Sequence, residues 1–409
     1  MNETTLRNYA ELIARVGVNV QNGQPVVIQA ELDQPDFVTM LVEACYRAGA
    51  SEVAVEWNHQ PLTRLNVEFQ APEVLGRVKA WQELRLRHRA ETLPAMIYLM
   101  SEDPDGLSGM DQAKYAAAIQ ARQKIIKPIR DTMENKYQWC IAAVPGRGWA
   151  EKVFPGLSPA RAEERLWEAI LYTSRADGAD PAAAWQAHNA DLKARCAHLN
   201  ALGLAALEYK ASNGTDLHVG LIPDARFLGG SEQALGSGVE FQPNIPSEEV
   251  FTSPMRGSAE GIVVASRPLS FRGVLIEDFS IRFRDGRAVE ARAGKNEDAL
   301  HALLSMDEGA SMLGECAFVP YDSPIRNAGI LFYNTLFDEN AACHLALGKG
   351  FSNCLEHFEH CSLDECRAKG INDSMVHEDF MIGTEDLAVT GITAEGRPVP
   401  LFRNGNWAF

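Results

Sequence analysis

The densest concentration of reactive side chains lies in Asn334-Thr335-Leu336-Phe337-Asp338-Glu339-Asn340-Ala341-Ala342-Cys343-His344, where two acids and a histidine fall within seven residues. A second run, His377-Glu378-Asp379, sets an imidazole two positions from a carboxylate. Side chains alternate along a strand, so if this run is extended His377 and Asp379 share a face and Glu378 looks away. A neutral imidazole beside a carboxylate suits a divalent metal. Two further acids have suitable settings: Glu315 after a glycine in Leu313-Gly314-Glu315, and Glu249 in Ile245-Pro246-Ser247-Glu248-Glu249-Val250. An isolated His-x-Asp is common and says little alone. Glu339 and His344 are five apart, about 140° around a helix, so they converge only if Glu339 sits at or before its first turn. Spacing alone leaves a shared metal site and ordinary structural positions both open.

Other clusters carry less. Cys354, His357, His360 and Cys361, with Cys366 beyond them, have a spacing that fits no standard zinc pattern. Cys316 and Cys343 adjoin the residues above and read as small core side chains. Gly229-Gly230 and Gly236-Ser237-Gly238 contain no phosphate-loop pattern, and His218 reads as structural.

The elements that must position these residues change character midway. Leu6, Tyr9, Ile13 and Val16 recur at helical spacing, a strand is expected at Val26–Ile28, and Pro35 and Gly49 bracket a helix starting from Asp33. Further strands are expected over 53–57, 95–99 and 139–144, with helical stretches between them and two more helices after Ser158 and around Trp185–Leu199. Alternation of this kind implies an α/β domain with a parallel sheet over residues 1–200. Beyond it, Asn213-Gly214 and Asp285-Gly286 each separate short extended runs, as in hairpins. Helices are expected at Lys295–Met306 and near Glu339–Leu347. Residues 201–409 therefore read as an α+β domain with a largely antiparallel sheet, carrying the metal site.

Composition limits the partners. With 38 Lys+Arg against 55 Asp+Glu in 409 residues, the formal charge is −17, which disfavours nucleic acid and anionic membrane. No apolar run approaches the ~18 residues of a membrane span. The N-terminus has neither the basic nor the apolar region of a signal peptide, and eight cysteines are too sparse for a disulfide scaffold, so a cytoplasmic protein with reduced thiols is expected.

Several blocks together resemble the thermophilic aminopeptidase family: 245–252, Leu313-Gly314-Glu315, 335–348, 372–383 and the closing Asn404-Gly405-Asn406-Trp407. They are long, ordered and confined to roughly the last 200 residues. The resemblance implies a metal-dependent aminopeptidase that removes N-terminal residues from short peptides with a two-metal-activated water. Carried over position by position, the ligands would be Glu249, Glu315, Glu339, His344, His377 and Asp379, with Glu315 bridging two divalent ions of the Zn, Co or Mn type. Glu248 would be the proton shuttle. Family members form homodimers whose sites face an enclosed space, which implies the same here.

One position departs from the family pattern. Where a tyrosine usually stands seven residues after the ligand histidine, this chain has Phe351, which cannot donate a hydrogen bond to an oxyanion. Two alternatives therefore stay open. His344, His377 and Asp379 form the two-histidine, one-carboxylate set of mononuclear non-haem iron ring-cleaving dioxygenases, some of which look like relatives of this fold. A non-catalytic metal-binding relative is the other.

Overall fold

The structure, a computed structural model, describes residues 2–409. It divides into two compact units that are not consecutive in sequence. One comprises residues up to Gln186 with Ser231–Pro246, and the other Ala187–Gly230 with Ser247–Phe409. The segment Ser231–Pro246 thus lies in the first unit although it falls past residue 200.

In the first unit, strands Pro25–Glu31, Glu52–Asn58, Ala95–Met100 and Trp139–Ala143 form the expected parallel sheet, in the spatial order second, first, third, fourth. Its inner strands read as near-continuous apolar runs because helices cover them, and Ala95, Met96 and Ile97 are all buried. The helix Pro35–Ala48 starts with proline in its first turn and ends on Gly49, whose φ of 114° needs a residue without a Cβ. Its cap is Gln34; the carboxylate of Asp33 instead accepts the hydroxyl of Ser101. Tyr9, Phe37 and Trp167 cluster in the core, and the Tyr9 hydroxyl donates to the Ala143 carbonyl.

In the second unit an eight-stranded antiparallel sheet runs, in spatial order, through Arg287–Arg292, Ser280–Arg284, Pro254–Val264, Asp216–Leu221, Leu204–Lys210, Ala388–Thr393, Pro398–Arg403 and Asn406–Trp407. Both expected hairpins are there; Asp285 and Gly286 take φ of 50° and 73°, the mirror-image turn that matches strand twist. A separate antiparallel sheet has the order His377–Met381, His344–Gly348, Leu313–Phe318, Val250–Thr252.

One expected element is replaced. The helix read near Glu339–Leu347 is instead a short helix Thr335–Asp338, a single tight turn Glu339–Ala341 and the strand His344–Gly348. All five residues of that strand are buried in the middle of its sheet. A buried strand shows no polar alternation, so periodicity cannot tell it from a buried helix segment. The expected helix Lys295–Met306 is present as Glu297–Leu304.

Phe318 anchors the core beneath the smaller sheet, with the rings of Tyr209, Phe227, Phe402 and Trp407 at 5.6–6.4 Å. Replacing it with alanine should cost about 3–5 kcal/mol, measured by urea unfolding, because four neighbours would line the void. A loss below about 1 kcal/mol would show that the site collapses around the smaller side chain.

Candidate metal centre

The register of the smaller sheet decides which side chains meet. Glu315 lies opposite Ala346, and Ala346 opposite Asp379; Ala317 lies opposite His344, and Gly348 opposite His377. Alternation then puts Glu315, His344, His377 and Asp379 on one face. Cys316, Phe318, Leu345, Leu347 and Phe380 point the other way, into the core. On the central strand the residues between the ligand candidates are Ala346 and Gly348, so space is left among them.

Glu315 reaches this face through a bulge. The register shifts between Leu313 and Glu315, and Leu313 packs in the core while Glu315, two residues on, points away from it. Gly314 permits the close approach this needs: a Cβ there would lie 2.4 Å from the carbonyl oxygens of Gly348 and Lys349. Glu249 enters from just before the strand Val250–Thr252, and Glu339 from the tight turn ahead of His344.

Two groups of three result, and Glu315 belongs to both: Glu249, Glu315 and His344, and Glu315, His377 and Asp379. In each, the potential ligand atoms lie within 4.8 Å of one another. His344 Nε2 is 3.1 Å from the Glu249 carboxylate, and His377 Nε2 is 3.0 Å from that of Glu315. The Nδ1 atoms are engaged elsewhere, with the Ala342 carbonyl at 3.2 Å and the Lys349 carbonyl at 2.7 Å. Carbonyl partners assign the proton to Nδ1, so each neutral ring presents a lone pair to a carboxylate. That contact is favourable only with a proton or a cation between the two.

The rest of the cluster makes the same demand. Asp379 Oδ1 is buried and has no hydrogen-bond partner. Glu249, Glu315, Glu339, His344 and Asp379 are all buried, and no lysine or arginine pairs with any of them among the described residues. Four carboxylates and two imidazoles gathered in a largely buried cluster are a donor set for divalent cations. The His377 side chain keeps 24% of its surface exposed, so solvent reaches the cluster from its side.

Without a cation the cluster must hold protons. Burial, opposed by the His377 hydrogen bond, pushes the Glu315 carboxyl up to about 7. Burial, and then the charges of Asp379 and Glu249, push Glu339 well above its ordinary range. Burial depresses His344, but the Glu249 hydrogen bond and charge outweigh it and carry it to about 9. His377 is likewise depressed by burial yet raised overall, by Asp379 and Glu315. Burial works against an ionised Asp379, but the charge of His377 holds it below its usual value.

Glu339, though buried, belongs to neither of the two groups, and the remaining candidates also fall outside them. Glu248 is buried with its carboxylate 3.8 Å from His188 Nε2. Glu378 lies opposite Leu347, on the face turned from the cluster. Phe351 packs against the His377 ring with centroids 4.7 Å apart and the planes tilted by 48°. His357 and His360 are exposed while Cys354 and Cys366 are buried, so these residues form no common shell. His344, His377 and Asp379 do not form a group of their own: His344 belongs to one and the other two to the second. Glu315 is the residue the two groups share. His188 and Asn340, which hold the Glu248–Glu249 segment, carried no sequence signal; an amide on a tight turn and a histidine on a long helix look structural.

A buried, carboxylate-rich cluster of this kind is a candidate metal centre. The chain belongs to the family described as thermophilic metalloprotease (M29), which matches residues 2–407. It is 42% identical to aminopeptidase AmpS of Bacillus subtilis (strain 168) over 405 residues, 99% of this chain and 98% of that one. It is also 42% identical to aminopeptidase T of Thermus thermophilus, covering 98% of each chain. The solved structure of wild-type AmpT from Thermus thermophilus superposes with a TM-score of 0.90 at 41% identity, over all of both chains.

The proton balance gives a pH test. Glu315 and both histidines bind protons more tightly in the folded chain than in the unfolded one. Their contribution is full at low pH and is lost as pH rises, for Glu315 between about 4.5 and 7 and for His344 between about 6.5 and 9. Asp379 acts oppositely, its contribution fading as pH falls through its lowered value. The gap in melting temperature between zinc-loaded and chelated protein should therefore widen as pH rises from about 6 to about 8. A gap independent of pH would contradict the proton-for-cation exchange.

Proposed function

We propose that this metallo-aminopeptidase works at the cluster on the smaller sheet, with Glu249, Glu315, Glu339, His344, His377 and Asp379 holding two divalent ions and Glu315 shared between them. The membership of Glu315 in both groups is the observation that carries this reading. The mixture of imidazole and carboxylate favours Zn, Co or Mn over Ca. Bound there, such ions supply Lewis acidity to the scissile carbonyl and make a water acidic enough to react near neutral pH.

The chain's own residues do the rest. The Ala342 and Lys349 carbonyls hold the imidazoles with Nε2 facing inward. Four carboxylates offset the charge of two dications, and a nearby acid outside the ligand set would hold the free α-amine of a peptide, which selects N-termini. Glu248, buried and outside both groups, takes a proton from the water and returns it to the leaving amine. Short peptides are the substrates in this reading. A homodimer and a cytoplasmic setting belong to it too; no helix among the described residues is long and apolar enough to cross a membrane.

Phe351 lies beside His377, where the family resemblance places a tyrosine. Its ring supplies packing without a hydroxyl, and one lost oxyanion donor typically costs about 10²–10³ in rate. Slow turnover follows.

Elemental analysis of the purified protein should find two divalent ions per chain, together with cleavage of aminoacyl-p-nitroanilides. Glu315→Gln should abolish cleavage; full activity in that variant would remove Glu315 from the site. Phe351→Tyr should raise kcat with little change in KM. An unchanged kcat would mean that another donor already serves the oxyanion.

A further inference from the structure

Glu249 is the candidate ligand with the least regular support. Residues 247–249 lie outside the sheet, whose pairing begins at Val250 opposite Phe318. An arm of this kind would let Glu249 wander unless side chains hold it. Asn340, with no exposed surface, sits where it can do so. Its Oδ1 accepts the Glu248 backbone N–H at 2.7 Å. Its Nδ2 donates to the Leu336 carbonyl at 2.9 Å and to Glu339 Oε1 at 3.3 Å. One amide thereby ties the arm carrying Glu249 to the carboxylate of Glu339, with both its donors and its acceptor engaged. From the other side, His188 Nε2 meets the Ser247 carbonyl at 2.7 Å, which makes that nitrogen the donor.

We propose that Asn340 is a positioning residue that fixes the Glu248–Glu249 arm against Glu339 for cation binding, with His188 gripping the same arm through Ser247. This rests on the ligand assignment above. It assigns to two residues with no place among the ligands the task of setting the separation between two of them. Asn340 has no substitute of its own size, since aspartate lacks the donors and leucine lacks both functions. An outer partner of this kind typically changes metal affinity by about 10–100-fold.

The test uses the full chain, stripped with a chelator and titrated with Co²⁺, following binding by calorimetry and the visible absorption of the bound ion. Asn340→Ala should weaken Co²⁺ binding by about 10–100-fold and alter the absorption spectrum at temperatures where the variant is folded. A purely structural role would lower the melting temperature and leave affinity and spectrum as in the wild type; that result overturns the proposal. Should Asn340→Ala fail to fold, the helix position decides. His188→Ala should weaken Co²⁺ binding, and His188→Gln, whose amide can still donate to Ser247, should restore it. Wild-type affinity in His188→Ala then overturns the clamp. Wild-type protein that takes up no Co²⁺ would instead overturn the ligand assignment, and the clamp with it.

Discussion

Four carboxylates buried together, with no lysine or arginine paired to them among the described residues, are the constraint around which the second unit is built. Like charges in a poorly solvated pocket repel, and each must be neutralised by a proton or a cation. The cluster's own side chains carry the mark of this in the raised Glu315 and Glu339 and in histidines driven toward the imidazolium form. A fold that keeps such a cluster has to resist that repulsion with structure that does not depend on the cluster itself.

The smaller sheet provides the resistance through its opposite face. Phe318, Leu345, Leu347 and Phe380 bury apolar surface there, and burial of this kind is the main favourable term in folding. The ladder holds register, and a slip of one residue would turn every ligand candidate into the core and every core residue onto the ligand face. The bulge at Gly314 lets one strand serve both faces out of its normal alternation. Ala346 and Gly348 keep the centre of the ligand face open. Rigid strands thus carry four of the six candidates, while Glu249 and Glu339 arrive on an irregular arm and a turn.

Membership of the metalloprotease family M29 and the geometry bear on each other in a specific way. Family similarity extends over the whole chain, whereas the candidate ligands gather in the second unit. A one-iron reading of His344, His377 and Asp379 needed three residues to converge without the glutamates, and Glu315 lies in both groups instead. Phe351 packs against His377 at the edge of this cluster. The ring keeps its contact with His377, and only the hydroxyl is missing.

Much of the scaffold was legible in local pattern. The parallel sheet followed from alternating helix and strand signals, and both hairpins from Asn-Gly and Asp-Gly, because glycine and short polar side chains tolerate the backbone those turns require. The candidate ligands were legible as residue types, and their common membership only through resemblance. The sequence by itself determined which donors exist and which backbone segments bend. Tertiary structure decided that 344–348 is a strand, that a bulge turns Glu315 to the ligand face, and that Asn340 and His188 grip the Glu249 arm. These depend on contacts between residues roughly thirty to ninety positions apart. No periodicity within a short window encodes such contacts, since a fully buried run looks the same whether its hydrogen bonds go to its own chain four residues away or to a neighbouring strand.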